Sequence, residues 1–188
     1  MRALLVIDLQ KGIINQRDCS DEINKIRWLI EDFKCKNMPI IFTKHLDENV
    51  ESPLYKNCEG IEIIDNLDIN AKYIVEKSKP DSFFNTNLEK ILKNEGITEL
   101  VICGFNTEYC CLFTSIVAAD KNFKVYFIED ATGTVCDENT YEMPGLDIQD
   151  FIGSILNWSN MVNVLYLEEY KEDHRRLLNE KIYFFHFY

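Results

Sequence analysis

Three segments of this 188-residue chain carry side chains that could do chemistry together. In VICGFNTEYCCLFTSIVAA (101–119) an apolar run meets Gly104, a short polar turn follows, and Cys110 stands where a helix should begin. Orphan amides and the helix dipole at such an end favour an anion, so a Cys110 thiol of depressed pKa is expected. The same amides could hold the oxyanion that forms when a thiolate attacks a carbonyl. A buried structural cysteine is the competing reading. Cys111 falls one step round the helix and is expected to point elsewhere. The second segment is the opening MRALLVIDLQ, where Asp8 abruptly ends an apolar run. A carboxylate there either caps the next turn or serves as general base for a neighbouring thiol. The third is VEKSKPDSFFNTNL (75–88), with Lys77 and Lys79 after an apolar stretch. Such lysines are usually just solvated, but one carried into the site would help keep a thiolate anionic.

An alternation of strands and helices must position these groups. ALLVID, PIIFTK (39–44), KYIVEK (72–77), ELVICG (99–104), KVYFIED (124–130) and VNVLYLEE (162–169) read as six strands, several of them continuous apolar runs suited to burial on both faces. Between them, helices are expected over 20–37, capped by Ser20, over 85–96, about 108–122 and 147–160. The stretch 45–60 has no period and reads as a long loop, and loops of that length are usually functional. The pattern predicts an α/β fold: a three-layer, doubly wound, six-stranded parallel sheet of order 3-2-1-4-5-6. Ligands bind such sheets where the strand order reverses, here between strands one and four, which end at Asp8 and Gly104. Strand three is then an edge, so Lys77 is expected to return to the site on its loop.

The length suits one domain over 1–188, with a polar helical tail from about 168 whose terminal aromatics should pack on the body or on another subunit. Seven cysteines at irregular spacing, with no CxxC pair, argue against a disulfide framework or a structural zinc. A net charge of −12 disfavours nucleic-acid binding. No apolar run approaches a membrane span, and the opening run is too short for a signal peptide, so a cytoplasmic protein is expected.

The three segments, in this order, resemble the isochorismatase-like hydrolase superfamily. The family's first strand ending in Asp-Leu-Gln is matched by Asp8, Leu9 and Gln10. Its lysine segment is matched by Lys77, Phe83, Thr86 and Leu88, and its nucleophile motif Gly-x-x-Thr-(Asp/Glu)-x-Cys-x-x-x-Thr by Gly104, Thr107, Glu108, Cys110 and Thr114. DATGT (130–134) is similar to the loop after the family's fifth strand. The resemblance covers about 1–168 and implies a catalytic trio of Asp8, Lys77 and Cys110. It also implies a cis peptide at Phe105–Asn106 and an oxyanion hole from the amides of Asn106 and Cys110. Gln10, His45, Phe83 and Tyr109 are the candidate substrate contacts, although the aromatic spacings suit a core equally well. Nicotinamidases of the family bind a metal through an Asp-x-His pair and a further His after strand two. Here that region offers His45 alone, so no metal and no cofactor is expected. The implied activity is thioester-mediated hydrolysis of a C–N bond in a small amide, ureide or carbamoyl compound, by a homo-oligomer. The alternatives are vinyl-ether hydrolysis, a non-catalytic role in binding or assembly, and thiol sensing at Cys110–Cys111.

Overall fold

The computed structural model describes residues 1–172. Six strands, β1 (Arg2–Ile7), β2 (Ile40–His45), β3 (Tyr73–Lys77), β4 (Glu99–Phe105), β5 (Lys124–Gly133) and β6 (Asn163–Leu165), form one parallel sheet ordered β3-β2-β1-β4-β5-β6. The helices are α1 (Lys11–Ile14), α2 (Ser20–Cys35), α3 (Leu88–Asn94), α4 (Leu112–Asp120) and α5 (Ile148–Trp158). The expected order therefore holds, and strand order reverses between β1 and β4.

Burial on both faces explains why the strands read as unbroken apolar runs. From β1, Leu4 and Val6 point to one face, where they meet Ile26, Leu29, Ile30 and Phe33 of α2. Ala3, Leu5 and Ile7 point to the other, against Leu88 and Leu92 of α3, Ala118 of α4, and Ile148, Ile152 and Leu156 of α5. β1 and β4 approach closely, because a side chain on Gly104 would collide with the Ile7 carbonyl. At φ +122° this position also favours glycine.

Several local expectations change. The Ser20 hydroxyl does not cap α2; Ser20 is its first residue, and its amide donates to the Asp18 carboxylate at 3.0 Å. The helix expected over 85–96 starts only at Leu88, because Ser82, Phe83 and Thr86 are taken up in side-chain-stapled turns. Strand six is three residues long, and the chain becomes helical again at Leu167, where its amide donates to Asp130 at 2.8 Å. The 46–58 loop is docked by small residues: the Pro53 carbonyl occupies the space that side chains on Gly12 and Gly60 would fill. Most of the closing helix and all the terminal aromatics lie outside the described residues. Among those described, no helix is long and apolar enough to cross a membrane.

Candidate active site

Asp8 follows β1 in a left-handed conformation, φ 47°, that turns its wholly buried carboxylate towards β2 and β3. There Thr43 donates to Asp8 Oδ1 at 2.6 Å, and its oxygen also accepts the Asp8 amide at 3.2 Å. Lys77 is the last residue of β3, in register with His45 of β2. Its extended side chain reaches past β2, so the strand itself delivers the lysine and no returning loop is needed. Lys77 Nζ lies 2.6 Å from Asp8 Oδ2, with both side chains fully buried. The same ammonium donates to Cys110 Sγ at 3.2 Å and to the Lys79 carbonyl at 3.1 Å. Lys79 thus takes part through its backbone.

His45 Nδ1 stands 3.3 Å from Lys77 Nζ. An ammonium has only donors, so the contact is favourable only when this nitrogen is unprotonated and the ring neutral. Burial and then the charge of Lys77 push the His45 pKa down, in accord with that state. Asp8, His45 and Cys110 offer atoms within 4.8 Å of one another, a spacing a metal could bridge. The Lys77 ammonium already lies among them, 2.6 to 3.3 Å from an atom of each, and would repel a dication. The donor set therefore does not fit a metal.

Cys110 lies in one π-helical turn, Thr107–Cys111, ahead of α4. Its pKa is not depressed, contrary to the expectation from a helix N-terminus. Burial raises it first and the Asp8 carboxylate raises it further; Lys77 opposes both and is outweighed. For Lys77, burial lowers the pKa, but the Asp8 carboxylate and, after it, the Cys110 sulfur as acceptor more than offset it, and the net shift is upward. Both shifts favour the protonated forms, so Cys110 rests as a thiol beside the Lys77–Asp8 ion pair. Losing the thiol proton to water would leave a net negative charge in a buried site, whereas passing it to Asp8 leaves the total unchanged.

The nucleophile motif explains itself as bracing. Thr107 donates to the Thr132 hydroxyl at 3.0 Å, fixing the turn to β5. Thr114 and Ser82 hydroxyls lie 2.9 Å apart, tying α4 to the segment after Lys77. Glu108 Oε1 accepts from Thr134 at 2.7 Å and from Tyr141 at 3.0 Å. The Phe105–Asn106 peptide is cis. The Asn106 carbonyl accepts the Tyr109 and Cys111 amides at 3.2 and 3.1 Å, so the Cys110 amide is not one of that pair.

Of the candidate substrate contacts, Phe83 is buried in the α3–α4 layer with its ring centroid 6.1 Å from that of Phe123, in the apolar cluster against which Cys110 also packs. Gln10 is buried, and its amide clamps the backbone instead, donating to the His45 and Ile61 carbonyls and accepting the His45 amide at 2.8 Å. Tyr109 is exposed and its hydroxyl accepts from Tyr141 at 2.8 Å. Cys111 is buried in the core beneath the turn. Sequence reasoning missed Thr43, Glu108 as a brace, Thr134 and Tyr141. Only the alternation along β2 could have flagged Thr43, as a polar residue in an otherwise buried apolar run.

A sequence model of the isochorismatase domain matches residues 2–144. The chain belongs to the isochorismatase family. An uncharacterised isochorismatase family protein of Bacillus subtilis is 30% identical over 142 residues, covering 70% of this chain and 77% of its own. Nicotinamidase 3 of Arabidopsis thaliana is 30% identical over 153 residues, covering 72% of this chain and 75% of its own. Among solved structures, an isochorismatase-like hydrolase from Alkaliphilus metalliredigens superposes with a TM-score of 0.74 at 20% identity, covering 92% of this chain and 98% of that one. The family is one of hydrolases with nicotinamidases among its members, and the six-stranded sheet is its fold.

Proposed function

We propose that this isochorismatase-family chain is a cysteine hydrolase that cleaves the C–N bond of a small amide, ureide or carbamoyl compound. The observation that carries the reading is the buried Lys77 ammonium joining the Asp8 carboxylate, 2.6 Å away, to the Cys110 sulfur, 3.2 Å away. Asp8 takes the thiol proton as Cys110 Sγ attacks the substrate carbonyl carbon, so the buried charge is redistributed rather than increased. Lys77 stabilises the thiolate as it forms, and Thr43 keeps Asp8 Oδ1 occupied so that Oδ2 faces Lys77. The tetrahedral oxyanion is held by the amides of Asn106 and Cys110. The proton on Asp8 passes to the leaving nitrogen, the C–N bond breaks, and a thioester remains on Cys110. Asp8 then deprotonates a water that hydrolyses the thioester, returning the proton to the thiol and releasing the acid.

Likeness to a nicotinamidase supports amide chemistry, and a thiol poised beside a base suits acyl transfer better than vinyl-ether cleavage. Neutral His45 and exposed Tyr109, near the trio in space and in sequence respectively, are the substrate contacts we retain. The test is ammonia release from a panel of nicotinamide, aliphatic amides, ureides and biuret. Turnover should vanish in Cys110→Ala and survive in Cys111→Ala. No turnover on any of them, together with no selective labelling of Cys110 by chloroacetamide, would sink the reading.

A further inference from the structure

His45 ends β2 with its backbone gripped at both polar groups. The buried Gln10 side chain accepts the His45 amide at 2.8 Å and donates to its carbonyl at 3.0 Å, while the strand register sets Lys77 alongside. The ring therefore has a fixed place, and one of its nitrogens lies within 4.8 Å of Cys110 Sγ. A carbonyl carbon under attack comes to about 3–3.5 Å from the sulfur, so the imidazole borders the bound acyl group. Nδ1 faces the Lys77 ammonium at 3.3 Å. With Nδ1 unprotonated, the single proton of the neutral ring sits on Nε2. Among the described residues Nε2 meets no hydrogen-bond partner, and the half-buried ring leaves it open to solvent.

The charges acting on this ring are Lys77 and Lys79 against Asp8 and Asp47, beside the neutral Cys110 thiol. The two pairs cancel. Lys77 is the one buried cation among the described residues, and its three protons are outnumbered by four acceptors: Asp8, Cys110, the Lys79 carbonyl and His45. None is left for a substrate. A carboxylate brought against the ring would meet Asp8 with no buried cation of its own, whereas a neutral acceptor adds no charge. We propose that His45 presents its Nε2–H to an uncharged acceptor, a carbonyl or a ring nitrogen, that the substrate carries next to its scissile carbonyl. Gln10 acts through His45 and is a positioning residue. The inference deepens the proposed function and rests on it, since it takes Cys110 as the nucleophile, and it narrows the substrate to amides with a second, neutral acceptor.

The experiment compares three alkylating probes on the full-length protein. They are chloroacetamide, N-(chloroacetyl)urea, which adds a neutral carbonyl, and N-(chloroacetyl)glycine, which adds a carboxylate. Rates at Cys110, followed by mass spectrometry, are divided by each probe's rate with a small thiol at the same pH. Wild type should favour the urea over both other probes by about tenfold, the size of one neutral hydrogen bond. His45→Leu removes both ring nitrogens and should erase that preference. His45→Gln, whose amide offers a neutral N–H, should keep part of it. A purely structural role for His45 would slow all three probes together and leave the preference intact, which overturns the proposal. A wild type with no preference, or one that prefers the glycine, overturns it too. If His45→Leu misfolds, His45→Ala supplies the same comparison. Nitrogen-15 spectra should also show the His45 proton on Nε2 at pH 7.5, and a proton on Nδ1 refutes the proposal without any probe. Failure of every probe to label Cys110 is a separate result, which brings down the proposed function and this inference with it.

Discussion

Replacing Asp8 by Asn tests the charge balance of the site directly. The substitution keeps the size of the side chain and an oxygen able to accept from Thr43, but it removes the negative charge 2.6 Å from Lys77. In place of Oδ2 it presents an amide donor to an ammonium that can only donate. The variant is best made in a Cys110→Ala background, so that no thiolate can replace the lost carboxylate. Breaking a fully buried ion pair by removing one partner costs about 3–5 kcal/mol. With a urea m-value of about 1–3 kcal/mol/M, the midpoint should fall by roughly 2 M at pH 7. The sign of the pH dependence follows from the groups acting on Lys77. Burial is the largest and lowers its pKa, while Asp8 and Cys110 hold it up. With both gone, the folded pKa drops below the unfolded value, so the folded state binds fewer protons at this group. The penalty is greatest below the folded pKa, where Lys77 is charged without its carboxylate partner, and it shrinks as rising pH neutralises Lys77 in the folded protein. The recovery is up to about 1.4 kcal/mol per pH unit. The parent keeps Asp8, the larger of the two groups that hold the Lys77 pKa up, so its stability should rise less with pH than the variant's. Urea unfolding of parent and variant at pH 7 and pH 9 therefore reads both effects. A loss below about 1 kcal/mol, or a penalty that does not diminish from pH 7 to 9, would refute the account of Lys77 as a buried ion held by Asp8.

Thr43→Val preserves shape but strips Asp8 of the 2.6 Å hydrogen bond and its amide of an acceptor; it should cost about 1–3 kcal/mol in urea unfolding and lower kcat more than it raises KM. The Cys110 thiol, raised by burial and by Asp8, should show no thiolate absorbance step below pH 9 in wild type minus Cys110→Ala difference spectra. A step near pH 7 would restore the helix-terminus account. Glu108→Gln keeps an acceptor for the Thr134 and Tyr141 hydroxyls and should be milder than Glu108→Ala by about 1 kcal/mol or more, measured as a difference in unfolding midpoint. Gly104→Ala must both collide with the Ile7 carbonyl and hold a strained φ, so its soluble yield at 37 °C should collapse.

The order of the sheet was legible because its cause is local. β1, β2, β4 and β5 each carry an unbroken apolar run (ALLVI, IIF, LVIC and VYFI), burial on both faces explains such runs, and right-handed crossovers restrict how they can be arranged. Asp8 and Cys110 were legible for a related reason, since each stands where a buried strand ends at the point of reversal. The motif residues Thr107 and Thr114 could be matched by pattern, but their hydrogen bonds to Thr132 and Ser82 join segments 25 and 32 residues apart, and no local signal encodes such partners. Phe83, Gln10 and Tyr109 were indistinguishable as candidates until packing turned the first into core and the second into a backbone clamp.

What the sequence determined by itself is the alternation of elements, and with it which strand ends must converge. Tertiary structure alone decided the state of the groups that meet there. Whether Lys77 spans β2 from its own strand, whether Thr43 faces Asp8, and whether the Cys110 pKa rises or falls all depend on the geometry and burial of charges brought together from distant segments. Electrostatic energies in a low-dielectric interior change steeply with separation and solvent access, and neither is a property of residue spacing along the chain.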